Sequence, residues 1–172
     1  MYASKVITLL VICIVGCSPE SDSFTIEPKI YLESVTQFKN VQNKDSVIQL
    51  KIGYSDADGD IGLDESDTLP PFHFSGPYYH NLPITFLVKN SNGYFEELYD
   101  PNRNTPYGFQ HERIPNLTPE GKYKSISGIV TVNIAANPFF TNPKHVKFEI
   151  QLLDRSLHKS NTIFTDILQL EH

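Results

Sequence analysis

Apolar and polar residues alternate along several stretches of this chain, and this alternation restricts the possible fold more than any other feature. A period of two residues is that of a β-strand with one buried face, because successive side chains of a strand point to opposite sides. The alternating apolar positions are Ile48, Leu50, Ile52 and Tyr54; Ile84, Phe86 and Val88; Val130, Val132 and Ile134; and Val146, Phe148, Ile150 and Leu152. No window has a sustained helical period, so the sequence predicts an all-β protein.

Weaker strand patterns occupy residues 29–35, 95–99 and 162–170, and prolines and glycines punctuate the intervals between strands. Both residue types favour turns, which fits short strands that reverse direction often. About seven short strands in a chain of this length predict an immunoglobulin-like antiparallel β-sandwich over residues 28–172. A jelly roll is the alternative architecture.

The sandwich topology predicts which loops meet. The strands concerned are predicted at 46–54 (B), 84–89 (C), 145–153 (F) and 162–170 (G). In an immunoglobulin-like sandwich the B–C and F–G loops lie at the same end. An acidic segment opens the B–C loop, and Asp154 opens the F–G loop. We therefore expect Asp154 to approach the acidic segment in space.

The acidic segment carries six carboxylates and no basic residue. These are Asp56, Asp58, Asp60, Asp64, Glu65 and Asp67. Carboxylates at alternate positions can converge on one calcium ion where the chain turns, so we predict a structural calcium site. The predicted ligands are Asp56, Asp58, Asp60, Asp64 and Asp154, while Asn161 either joins them or braces the F–G loop. The alternative is a solvated turn, since Asp and Gly are both turn formers.

Two motifs together resemble a family of small lipoproteins of the Bacteroidota whose immunoglobulin-like domain carries a DxDGDIGL loop. They are Tyr54–Leu63 and Asp154–Asn161, and the segment Arg113–Gly121 is also similar to that family. The resemblance covers most of residues 28–170 and implies the fold and the location but no particular activity. An EF-hand is excluded, because Ile61 stands where that loop needs glycine and the flanking segments are not helical.

Residues 1–16 resemble the signal peptide of bacterial lipoproteins. The apolar run Val6–Val15 follows a short basic start and is too short to span a bilayer, and Ile14–Cys17 resembles a lipobox. The resemblance implies cleavage before Cys17, diacylation of its thiol and a flexible tether over residues 17–27. It also implies attachment to the bacterial outer membrane, on the periplasmic or the cell-surface side. An ordinary buried strand or a short membrane anchor is the alternative.

This processing would leave a mature chain without a thiol, because Cys13 leaves with the signal and Cys17 carries lipid. Disulfides, cysteine-zinc sites and a cysteine nucleophile are then excluded. Loss of Lys5 leaves thirteen basic residues against twenty acidic ones, a net charge of −7. An acidic balance argues against nucleic acid as a partner, which needs clustered Lys and Arg.

The sequence predicts a binding or scaffolding module rather than an enzyme. The six histidines have no compact zinc spacing, and the chain lacks a Gly-x-Ser-x-Gly elbow and a phosphate-binding glycine loop. If the protein binds a glycan or a protein, the candidate surface is the loop 70–80, with the rings of Phe72, Phe74, Tyr78 and Tyr79 exposed. If it is a scaffold, those rings should be buried. A hydrolase that pairs two carboxylates is the remaining alternative.

Overall fold

The computed structural model describes residues 25–118, 120 and 125–172. Its regular structure over these residues is entirely β, in ten strands. The strands are β1 (Lys29–Lys39), β2 (Asp45–Asp56), β3 (Ile84–Lys89), β4 (Phe95–Glu97), β5 (Tyr99–Asp100), β6 (Thr105–Pro106), β7 (Ile126–Ala135), β8 (His145–Ile150), β9 (Ile163–Phe164) and β10 (Leu168–Gln169). The predicted signal peptide 1–16, Cys17 and most of the tether 17–27 lie outside the described residues. None of the described residues belongs to a helix that could cross a membrane.

The strands form two antiparallel sheets that pack as a sandwich. One sheet has the order β1-β2-β7, and the other has the order β10-β8-β3-β4, with β9 also paired to β8. Strands β5 and β6 form a separate two-stranded ribbon. These neighbours correspond to A-B-E and G-F-C-C′ of an immunoglobulin-like sandwich. The predicted fold is therefore confirmed, and the predicted strands B, C and F correspond to β2, β3 and β8.

The last predicted strand, over residues 162–170, is divided into β9 and β10. Thr165 lies between the two, and its side-chain hydroxyl accepts the N–H of Phe148 at 3.0 Å. The Thr165 hydroxyl takes the place of a backbone carbonyl there. The backbone hydrogen bonds between β8 and the last predicted strand are therefore interrupted. Strand β8 itself ends at Ile150, before the predicted end at residue 153, because the N–H of Leu152 donates to the Ser160 hydroxyl at 2.9 Å.

The core lies between the inner faces of the two sheets. Ile48, Leu50 and Ile52 of β2 are buried on one face, as the alternation predicts. Opposite them, Phe86 and Phe148 contact edge-to-face, with ring centroids 4.9 Å apart. Complete burial of an apolar side chain of this size contributes about 1.5–3 kcal/mol, so these inward positions account for much of the stability.

Residues 107–117 close one side of the sandwich. The His111 ring accepts the N–H of Ile84 at 3.0 Å, which ties this segment to the start of β3. The buried Asn81 amide donates to the carbonyl of Ile114 at 3.1 Å and accepts its N–H at 2.6 Å. The segment is thereby fixed against the B–C loop (residues 57–83, between β2 and β3).

Candidate cation site

The candidate site begins where β2 ends, at Asp56. The chain then turns through Gly59, whose φ is 66°, and Gly62, whose φ is 98°. Both values lie in the left-handed region that glycine adopts without strain. A side chain at Gly62 would also overlap the backbone carbonyl of Pro115. The two glycines therefore permit the tight turn that brings the neighbouring carboxylates together.

Asp56, Asp58 and Asp60 converge in this turn. Each offers a carboxylate oxygen, and these oxygens all lie within 4.8 Å of one another. Asp56 is only 4% exposed. Its Oδ2 accepts the backbone N–H of Asp60 at 3.0 Å, and Oδ2 of Asp60 accepts the N–H of Ser156 at 3.1 Å. One oxygen of each of these two residues therefore holds the loop.

The other oxygen of each carboxylate is shielded but unsatisfied. Oδ1 of Asp56, of Asp58 and of Asp60 has no hydrogen-bond partner among the described residues. A buried carboxylate oxygen without a partner is costly, and three of them close together add mutual repulsion. A hard divalent cation takes oxygen ligands and would satisfy all three at once. The donor set therefore fits calcium.

The electrostatics of the site reflect the same crowding. Burial, reinforced by the charge of Asp58, raises the pKa of Asp56 to about 7. The carboxyl group is thus about half protonated near pH 7, within a group of three acids. A bound cation would reverse this effect, because a positive charge beside a carboxylate favours its ionised form.

Asp154 approaches the acidic segment as expected. It forms an isolated antiparallel bridge with Ile61, and the N–H of Arg155 donates to the carbonyl of Asp60 at 3.1 Å. The Asp154 carboxylate, however, is not part of the three-carboxylate group. Both its oxygens bind His158, one through the backbone N–H at 2.7 Å and one through Nδ1 at 2.9 Å.

The pKa of Asp154 is raised by burial and by the charge of Asp60, against the hydrogen bonds from His158 that lower it. The hydrogen bond with Asp154 in turn raises the pKa of the His158 imidazole. The pair therefore shapes the F–G loop (residues 151–162, between β8 and β9) beside the three carboxylates.

Asp64, the fifth predicted ligand, also lies outside the group. Its Oδ2 is 2.9 Å from a guanidinium nitrogen of Arg155, and its Oδ1 accepts a hydrogen bond from the Asn116 amide at 3.0 Å. These two bonds lower the pKa of Asp64, the one from Asn116 contributing most. Arg155 also pairs with Asp67 at 3.3 Å. The acidic segment is thus partly neutralised by a basic residue from the F–G loop.

Asn161 braces the F–G loop rather than joining the carboxylates. Its amide donates to the carbonyl of Ile30 at 2.8 Å and accepts the N–H of Ile30 at 2.9 Å. It therefore holds the end of the F–G loop to β1 by replacing a partner strand at that point. Of the two roles that the sequence left open for this residue, the structure shows the second.

Arg113 organises the B–C loop, a role that the sequence analysis missed. Its guanidinium donates to four backbone carbonyls, those of Asp64 at 3.2 Å, Asp67 at 3.0 Å, Phe72 at 3.3 Å and Tyr79 at 2.9 Å. A side chain that binds carbonyls far away in sequence leaves no periodic signal. The similarity of the segment 113–121 to the lipoprotein family was the available hint.

Most of the aromatic rings of the loop 70–80 pack against neighbouring side chains rather than lying exposed to solvent. Phe74 is 83% exposed, but Phe72, Tyr78 and Tyr79 are half-buried. Phe72 contacts Tyr78 edge-to-face, Phe74 contacts Tyr79, and Arg113 lies over the ring of Tyr79 at 4.9 Å. The surface that a stacked glycan would need is therefore reduced to one fully exposed ring.

Comparison of the chain with protein-family models, with curated proteins and with solved structures gives no match. The resemblance to lipoproteins of the Bacteroidota therefore stays a prediction. The site has to be interpreted from its own geometry, in which the three unsatisfied carboxylate oxygens are the feature that demands an explanation.

Proposed function

We propose that this chain is a lipid-anchored domain of the bacterial envelope that binds one calcium ion and acts as a binding or scaffolding module. The observation that supports cation binding is that the Oδ1 atoms of Asp56, Asp58 and Asp60 are buried and have no hydrogen-bond partner among the described residues. Neighbouring carboxylates at a bare turn would keep these oxygens in water, because a turn gains nothing from burying them.

Calcium suits this site better than magnesium does. Calcium ligands lie at about 2.3–2.6 Å, so two oxygens on opposite sides of the ion are roughly 4.8 Å apart. Magnesium needs a tighter and more regular shell and retains more of its water. The irregular glycine turn fits the looser requirement of calcium, and the three carboxylates, with oxygens within 4.8 Å of one another, are close enough to share one ion. Backbone carbonyls or water would complete the shell.

The role of the ion is structural. Asp60 contributes to the carboxylate group and also binds Ser156 on the F–G loop. An ion that fixes Asp60 therefore stabilises both loops and the folded state by mass action. Asp154 and Asp64 support the same arrangement through His158 and Arg155 without entering the group.

The predicted lipid on Cys17 would hold the domain to the membrane through the flexible tether. Strand β1 begins with Lys29 opposite Ser55, immediately before the acidic turn. A tether over residues 17–27 would therefore join the sandwich at its cation-binding end.

Two experiments test the proposal. Isothermal titration of the chain without residues 1–16 should show heat of binding with calcium, which Asp58→Asn abolishes and the distant exposed variant Asp166→Asn retains. Unchanged binding in Asp58→Asn would refute the site. Separately, the full-length protein expressed in a bacterium should incorporate labelled fatty acid, and Cys17→Ser should not. No incorporation in the parent chain would refute the anchor and leave the cation site standing.

A further inference from the structure

Strand β7 has a free edge. It pairs with β2 along its whole length, from Ile126 opposite Asp56 to Ala135 opposite Val47. On its other side no strand pairs with it in the described part of the chain. Alternate N–H and C=O groups along this edge are therefore available to an added strand.

This edge also lacks the devices that usually prevent strand pairing, which are charges, prolines, bulges and short length. The edge strand β1 carries Lys29, Glu33 and Lys39 and has two register shifts against β2. The edge strand β4 has three residues, of which Glu96 and Glu97 are charged. By contrast, β7 is ten residues long, has no charged residue and no proline, and keeps a regular register.

A groove of about 500 Å³ runs along the same edge. Residues 129–133 of β7 form one wall, and residues 112–115 together with Leu117 form the other. The second wall is fixed in place, because Pro115 bridges to Leu63 and the buried Asn81 binds the backbone of Ile114. The groove therefore exists before any ligand binds, which reduces the entropic cost of binding.

The acidic side chain of this groove is Glu112. Glu112 makes no ion pair and no side-chain hydrogen bond with the residues that the structure describes. Partial burial raises the pKa of its carboxyl group. The guanidinium of the neighbouring Arg113 contacts four carbonyls of the B–C loop and forms no ion pair with Glu112. A cationic side chain from a ligand would complement this acid.

We propose that this groove binds an extended segment of a partner protein as an additional strand on β7. The segment carries alternating apolar side chains towards Val130 and Leu117, which are half-buried in the groove, and places a lysine or arginine at Glu112. Main-chain hydrogen bonds give such a complex its affinity, and the alternate side chains give it specificity. A single extended segment is the better occupant, because a second folded copy would bring its own residues 112–117 against the wall that they form here.

The probe is a synthetic peptide of about eight residues, matched to a typical strand length, in which valine and threonine alternate around one central lysine. A second peptide has glutamate in place of lysine, and a third has alternate backbone nitrogens methylated. Binding to the full chain is measured by fluorescence anisotropy, and amide hydrogen exchange locates the contact. The lysine peptide should bind and should slow exchange in residues 126–135.

The expected differences are specific. Methylation should weaken binding by about tenfold or more, because it removes donors to the edge of β7. Glu112→Lys should reverse the preference between the lysine and glutamate peptides, whereas Glu97→Lys, on the exposed edge strand β4, should leave it unchanged. The binding should persist with chelator, which separates this proposal from the cation site.

Three results would overturn the proposal. The first is no binding of either charged peptide up to about 1 mM, the weak limit of useful affinity. The second is equal binding of the methylated peptide. The third is self-association of the free protein with slowed exchange in residues 126–135, which would assign the edge to a second copy.

Discussion

Asp60 on the B–C loop accepts two hydrogen bonds from Ser156 on the F–G loop, one from its hydroxyl at 2.5 Å and one from its backbone N–H at 3.1 Å. These residues are 96 positions apart, yet both lie at the same end of the β3–β8 pairing, where Ile84 at the start of β3 is opposite Ile150 at the end of β8. The carboxylate group is therefore tied to both loops at this end of the sandwich. Binding of a cation at this site should therefore stabilise both loops.

The cation-free protein should lose stability as the pH rises towards neutrality. The pKa of Asp56 is raised from 3.8 to about 7 in the folded chain, so the folded state holds a proton that the unfolded state releases. Stability from this group is therefore complete below about pH 4 and falls until about pH 7, by an amount on the order of a few kcal/mol. Urea unfolding in metal-free buffer across this range measures the slope.

Asp56→Asn tests the source of that slope, because the amide has no proton to release. The variant should flatten the pH dependence and be more stable than the parent in metal-free buffer at neutral pH. The distant exposed variant Asp166→Asn should keep the parent's slope. An unchanged slope in Asp56→Asn would show that the pH dependence arises elsewhere.

Gly62→Ala should destabilise the protein by roughly 2–4 kcal/mol, because it combines left-handed backbone strain with steric overlap. The φ of Gly62 is 98°, and an added Cβ would overlap the carbonyl of Pro115. Gly93 is the matched control, since its φ is 88° but its Cβ would meet only Lys89 at 3.9 Å. Gly93→Ala should cost about 1 kcal/mol. Equal losses of unfolding free energy would contradict the close packing of the turn.

Arg113→Lys should loosen the B–C loop while the sandwich remains folded. A lysine ammonium is a compact charge that cannot reach four carbonyls in the fork geometry of a guanidinium. We expect a loss of about 1–3 kcal/mol and faster amide exchange in residues 64–80. Arg103→Lys, at an exposed position, should change neither. Unaltered amide exchange in residues 64–80 would show that Arg113 does not hold the B–C loop in place.

The strands and the meeting of the two loops could be predicted from sequence, because both follow from alternation and topology. The alternate spacing of Asp56, Asp58 and Asp60 predicted that their carboxylates lie close together. This proximity depends on one turn that contains all three residues. Asp154 came near them because strands B and F end at the same end of a sandwich. These inferences depend on local pattern and on a small set of allowed topologies.

Side-chain partners over long distances could not be predicted. Asp64 fits the spacing of a ligand, but Arg155 and Asn116 bind both its oxygens. Asp154 is likewise engaged by His158. In both cases the role of the carboxylate depends on its hydrogen-bond partners. These partners cannot be identified from a single sequence. The division of the last strand at Thr165 has the same origin.

The most direct test of the cation site is the thermal unfolding midpoint of the chain without residues 1–16, measured with calcium and with chelator. Calcium at roughly a hundredfold above its dissociation constant should raise the midpoint by about 5–10 °C. Asp58→Asn should lose this rise, and Asp166→Asn should keep it. Equal midpoints with calcium and with chelator in the parent chain would contradict the site and reduce residues 56–60 to a solvated turn.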